Sequence, residues 1–187
     1  MRFSIPILCV FTAEIILCQE SALRPSALEA YLQQPNVEVT WSSEIGRFDS
    51  AETHVMVTAI LAQASPAQKA AGVKVELGNR NGTDYIYVGE DRIPGLIDAL
   101  NNLDSEVEEF HNKRSTPSLY MGSCALRQSQ APFIHTLSAS YYIASDSSGL
   151  SLSSHNRQDY RFPDRRPADL ASLLSKALRE LKIKIAA

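Results

Sequence analysis

Cysteine is scarce in this chain of 187 residues: Cys9, Cys18 and Cys124 are the only three. Two of them fall in an apolar leader, so the remainder keeps one thiol and no intrachain disulfide framework can form. Histidine is almost as rare. His54, His111, His135 and His155 show no close ligand spacing, and neither Cys-x-x-Cys nor His-Glu-x-x-His occurs, so no metal site is expected. There is no phosphate-cradling glycine loop, dinucleotide fingerprint or G-x-S-x-G elbow, and no cofactor is expected. A basic excess is missing too. The chain has 18 Lys and Arg against 21 Asp and Glu, a net charge of -3. Affinity for nucleic acid rests largely on neutralising phosphates, so this balance argues against a nucleic-acid partner.

What is present is apolar material at an ordinary 44%, enough for the core of a single domain. The first residues stand apart. Arg2 precedes Phe3 to Ala13 and Ile15-Ile16-Leu17, a run too short to span a membrane. It reads as a signal peptide over residues 1–18, cleaved after Cys18 or lipidated there. The expected location is therefore secreted or periplasmic. No later segment is apolar enough to be a transmembrane helix. Residues 19–35 read as an N-terminal extension with a short helix over Ser26 to Gln33. Asn81-Gly82-Thr83 is a glycosylation sequon on an expected turn.

Residues 36–187 read as one α+β domain holding an internal repeat, 36–113 and 118–183. Gly72-Val73-Lys74-Val75 is echoed 77 positions later by Gly149-Leu150-Ser151-Leu152, and Asn79-Arg80 by Asn156-Arg157. Asp84-Tyr85 matches Asp159-Tyr160, Asp91-Arg92-Ile93-Pro94 matches Asp164-Arg165-Arg166-Pro167, and His54 falls opposite His135. Each copy reads as four strands and a helix. The strands are Val37 to Ser43, Glu52 to Gln63, Val73 to Leu77 and Asp84 to Val88, then Leu119 to Arg127, Phe133 to Ser145, Leu150 to Ser154 and Asp159 to Phe162. Asp91 and Asp164 are expected to cap the helices. Apolar stripes run through Ile93, Leu96, Ile97, Leu100, Leu103, Val107 and Phe110, and through Leu170, Leu173, Leu174, Ala177, Leu178 and Leu181. Such stripes need a sheet face to cover.

A tandem β-β-β-β-α plan, antiparallel sheets packed with two amphipathic helices, resembles that of the Whirly and purine-rich-element-binding proteins. The resemblance implies a Whirly-like topology and binding of single-stranded nucleic acid across the sheets. Single-strand grooves set cations beside stacking aromatics. Here aromatics total 7%, and the strands carry more Ser and Thr than Lys and Arg.

Two groups of residues are candidate sites. A hairpin turn centred on Ser129 and Gln130 places Cys124 opposite His135, and cross-strand Cβ atoms lie about 5 Å apart. A thiol beside an imidazole can serve as a nucleophile, which points to a thiol-dependent hydrolase. In the same register Leu126, Phe133, Leu137 and Tyr141 share that face, and a core role competes with catalysis. Arg157, Arg161, Arg165 and Arg166 surround a helix start, where N–H groups favour anions, but Asp159, Asp164 and Asp169 are interleaved. Asp104 to Glu109, without a calcium-hand loop, reads as a wet helix face. The expectation that follows is an exported, non-enzymatic binding domain for an extracytoplasmic protein or small molecule. The two alternatives are the Cys124/His135 hydrolase and single-strand binding by a cytosolic chain.

Overall fold

The computed structural model describes residues 26–65, 67–110, 118–128, 131–144, 147–154 and 159–186. The leader, Cys9, Cys18, His111, His155 and Arg157 lie outside the described residues.

The fold is α+β; the described residues form two antiparallel four-stranded sheets and three helices. Helix α1 (Ala27–Leu32) comes first, closed at its N-terminus by a capping box between Ser26 and Glu29. Sheet 1 follows as a meander of β1 (Glu38–Asp49), β2 (Thr53–Ser65), β3 (Gln68–Asn79) and β4 (Gly82–Gly89). Helix α2 (Ile93–Phe110) leads to sheet 2, a meander of β5 (Ser118–Gln128), β6 (Ala131–Ile143), β7 (Ser148–Ser154) and β8 (Asp159–Pro163). Helix α3 (Pro167–Ala186) ends the chain.

Alternation fixes which residues turn inward. In sheet 1 Val55, Val57, Val73, Val75, Leu77, Ile86 and Val88 are buried. In sheet 2 Ala139, Leu150, Leu152, Tyr160 and Phe162 are buried. All belong to one core together with Leu100 and Leu103 of α2 and Leu170, Leu174 and Leu181 of α3.

The helices are exchanged between the sheets. Helix α3, which follows sheet 2, lies across sheet 1. Ser43 donates to Glu180 at 3.0 Å, the Lys176 ammonium donates to the Ile45 carbonyl at 3.0 Å, and Lys184 sits over Trp41. Helix α2, which follows sheet 1, runs beside β5, β6 and α3. The sheets also meet directly. Phe48 and Phe162 pack edge to face at 5.0 Å, and Thr53 donates to the Arg161 carbonyl. The Tyr160 hydroxyl donates to Asp84 at 2.9 Å; burial, ahead of that bond, pushes the phenol well above its ordinary value.

The helix caps differ from the sequence expectation. The Arg92 carbonyl accepts the first bond of α2, so Asp91 lies one residue too early to cap it. Asp164 occupies a left-handed turn at φ 61 instead of a cap. Asp169 accepts from the Arg166 N–H, and Asp104 of α2 accepts from the Ala168 N–H. A carboxylate from the other helix thus completes the start of α3.

Ladder registers refine the internal matches. Gly72 pairs with Ile60 and Gly89, and Gly149 pairs with Tyr142 and Pro163. From Ile60 to Tyr142 is 82 positions, one more than from His54 to His135. A slip of one residue moves a side chain to the other face. His54 is in phase with Met56 and Thr58, whereas His135 is in phase with buried Ala139 and Tyr141. Likewise Ile86, not Tyr85, holds the place of Tyr160.

Candidate functional site

Because the exchanged helices occupy the inner sides, α1 is the one helix among the described residues that packs on the outer face of sheet 1. Leu28 sits at one end of that face, over Gly72 and Gly89, beside Ile60 and Ala62. Any Cβ at Gly72 would lie 2.2 Å from the Val88 carbonyl oxygen and 2.7 Å from Leu28, so glycine lets the helix seat. The Tyr31 hydroxyl anchors α1, donating to the Gln68 carbonyl and accepting from the Ala64 N–H.

The same face continues as two rows, the nearer one reaching α1 through Tyr87, which packs against the Leu28 cluster. One is Arg47, Met56, Glu76 and Tyr85; the other is Glu44, Thr58, Lys74 and Tyr87. Met56, Thr58, Lys74, Glu76, Tyr85 and Tyr87 are half-buried, and Glu44 and Arg47 are exposed. Tyr85 and Tyr87 meet at 5.5 Å with an interplanar angle of 68°. The Lys74 ammonium lies 4.8 Å from the Tyr85 ring centre and 2.5 Å from Glu76. Arg47 bonds Asp49, which holds that carboxyl below its ordinary value; both groups are open to solvent. At the far end the His54 ring lies flat over Gly78, where a Cβ would come within 2.0 Å of it.

The outer face of sheet 2 is different in kind. Its alternation places Ser138, Ser140, Tyr142, Ser153 and Arg161 on that side, with Ser151 buried among them. The Arg161 guanidinium stacks over Tyr142 at 5.3 Å, and Ser153 is hydrogen-bonded to Asp159.

Of the four arginines of the candidate anion site, Arg157 lies outside the described residues, and the other three take different surroundings. Arg161 is on this outer face, while Arg165 lies over the Phe48 ring at 5.4 Å. Arg166 is bound to Asp104, with its Nη2 2.9 Å from the carboxylate.

The backbone ladder of β5 and β6 does pair Cys124 with His135. Their side chains lie outside the described residues. Thr136 pairs with Ser123 at the next rung of that ladder, and in sheet 1 His54 pairs with Asp49. The first hairpin stops there, while the second continues through Cys124 and His135 to Gln128 and Ala131.

Among the described residues no three His, Cys, Asp or Glu side chains are placed to hold a metal ion, and no helix is long and apolar enough to cross a membrane. The sheet 1 face was not singled out from the sequence. Its signal was there as two period-2 pairs, Lys74 with Glu76 and Tyr85 with Tyr87. No family model, no curated protein and no solved structure matches this chain.

Proposed function

We propose that this chain is an exported, non-enzymatic binding domain, and that its contact surface is the outer face of sheet 1. The observation that carries the reading is the half-exposed group of Met56, Tyr85 and Tyr87, the last seated against the α1 cluster, on a sheet face where α1 is the one described helix that packs. Aromatic residues and Met with a polar rim are what protein interfaces favour. The cations there are matched by Glu44, Asp49 and Glu76, which suits a mixed-charge protein surface better than a polyanion.

The scaffold is proposed to be a duplicated β-β-β-β-α unit with Whirly-like topology. Gly72 and Gly149 support this. A Cβ at either would lie 2.2 or 2.1 Å from the carbonyl oxygen of the next strand, and 3.0 Å from the following Cα. The helix order after each meander supports it further.

In-cell crosslinking in the extracytoplasmic fraction tests the proposal. Tyr85→Ser together with Tyr87→Ser is expected to abolish adducts that the wild type forms, while Ser140→Ala on sheet 2 keeps them. Equal adducts from both variants would sink it.

A further inference from the structure

Resting on that reading of sheet 1, we infer that the occupant of its outer face is a second copy of this chain, joined about a two-fold axis. Closed dimers of this kind present the same patch twice, so the patch must complement itself.

The registers show how it does so. On β1 the two rows carry Arg47 and Glu44; on β3 they carry Glu76 and Lys74, with the signs reversed. Between them β2 supplies the uncharged pair Met56 and Thr58, and β4 supplies Tyr85 and Tyr87. A two-fold axis lying between the rows, across the strands, turns each row onto the other. Arg47 then faces Glu44 of the second copy, Glu76 faces its Lys74, and Tyr85 faces its Tyr87. Repeated by symmetry, every charge in the two rows meets its opposite. An axis running along β2 would also oppose unlike charges, setting Arg47 against Glu76 and Glu44 against Lys74. That axis leaves α1 of both copies at the same end of the face, α1 of one copy over the β1 side of the other, and holds the sheets apart at that end. The cross-strand axis instead carries α1 to the opposite end of the face, where Gly78 has no side chain and the His54 ring lies flat. It is the arrangement the molecule accommodates.

Like charges across a contact are costly, and complementary ones set register more than they add affinity. The dimer therefore depends on salt and on the sign of each charge.

Sedimentation equilibrium of the mature chain tests this. A dimer that weakens at high salt is expected. Glu76→Lys is expected to weaken it by about tenfold. Lys74→Glu combined with Glu76→Lys exchanges the two signs within the row pair and is expected to restore it. Arg47→Glu, at an exposed position away from the core, repeats the loss without any demand on folding. A dimer indifferent to Glu76→Lys would place the contact elsewhere and overturn the inference. A dimer lost in the single variant and not restored in the double would overturn the cross-strand axis. A chain monomeric at every concentration would overturn the second copy as occupant. It would leave the contact surface itself standing, because the crosslinking of Tyr85 and Tyr87 variants reads that separately.

Discussion

At their third strands the two units are nearly interchangeable. Gly72 and Gly149 meet the same backbone obstacle at the same distance, and the residues that follow, Val73 with Val75 and Leu150 with Leu152, are all buried. On the opposite side of the sheets the likeness ends. Sheet 1 turns out Met56, Lys74, Glu76, Tyr85 and Tyr87, where sheet 2 turns out mostly serines. The two hairpins also differ, since β5 and β6 run on past the point where β1 and β2 stop. The inner sides are constrained because each sheet is closed by the helix of the other unit, so a change in one is felt in both. The outer sides carry no such constraint, and that is where the two sheets differ and where a specific function can sit.

The largest effect should come from separating the units. Residues 26–110 and 118–186 made as separate chains are each expected to lack cooperative unfolding, because each sheet loses its covering helix. Mixed together, they are expected to regain it. Circular dichroism during denaturant titration reads the outcome, and a half that folds alone would break the comparison.

A smaller effect sharpens it. Gly72→Ala and Gly149→Ala are each expected to cost about 2 kcal/mol or more, by forcing strands apart. Gly72→Ala should cost more, because Leu28 adds a second obstacle there. Matching losses in denaturant midpoint would show that both units use glycine alike. A neutral result at either position would show that they do not.

The smallest concerns Tyr160, whose counterpart in the first unit is Ile86. Its phenol is held above the ordinary tyrosine value, first by burial and then by Asp84. The fold therefore keeps the proton where the unfolded chain releases it. Stability is unaffected below about pH 10 and falls as pH rises beyond it, until the folded phenol ionises as well. Tyr160→Phe should cost about 1 kcal/mol at neutral pH through the lost hydrogen bond. It should also flatten the alkaline decline. Equal declines for wild type and variant, from denaturation at about pH 8 and about pH 11, would contradict this.

Strands and helices were legible because period-2 and period-3.6 patterns are local. The short helix after Ser26 and the turn at Gly78 to Gly82 were legible for the same reason, through a capping box and through Asn and Gly. The pairing of Cys124 with His135 followed from a symmetric turn. The helix exchange was not legible, since nothing in a stripe such as Leu170, Leu174 and Leu181 says which sheet it covers. The cap on α3 from Asp104 is equally non-local. That His54 and His135 fall in different phases of their strands was not legible for a different reason. One residue of loop length decides which face a side chain takes, and identity at two positions does not carry that parity. The open face of sheet 1 was hidden because exposure depends on where the helices go.

Hydroxyl-radical footprinting of the protein in its native fraction is the most direct measurement of the central claim. Met56, Tyr85 and Tyr87 are expected to be protected well beyond their half-exposed state, while Tyr142 on sheet 2 reacts as its own exposure dictates. Protection at Tyr142 alone, or unhindered reaction at all four, would contradict sheet 1 as the contact surface.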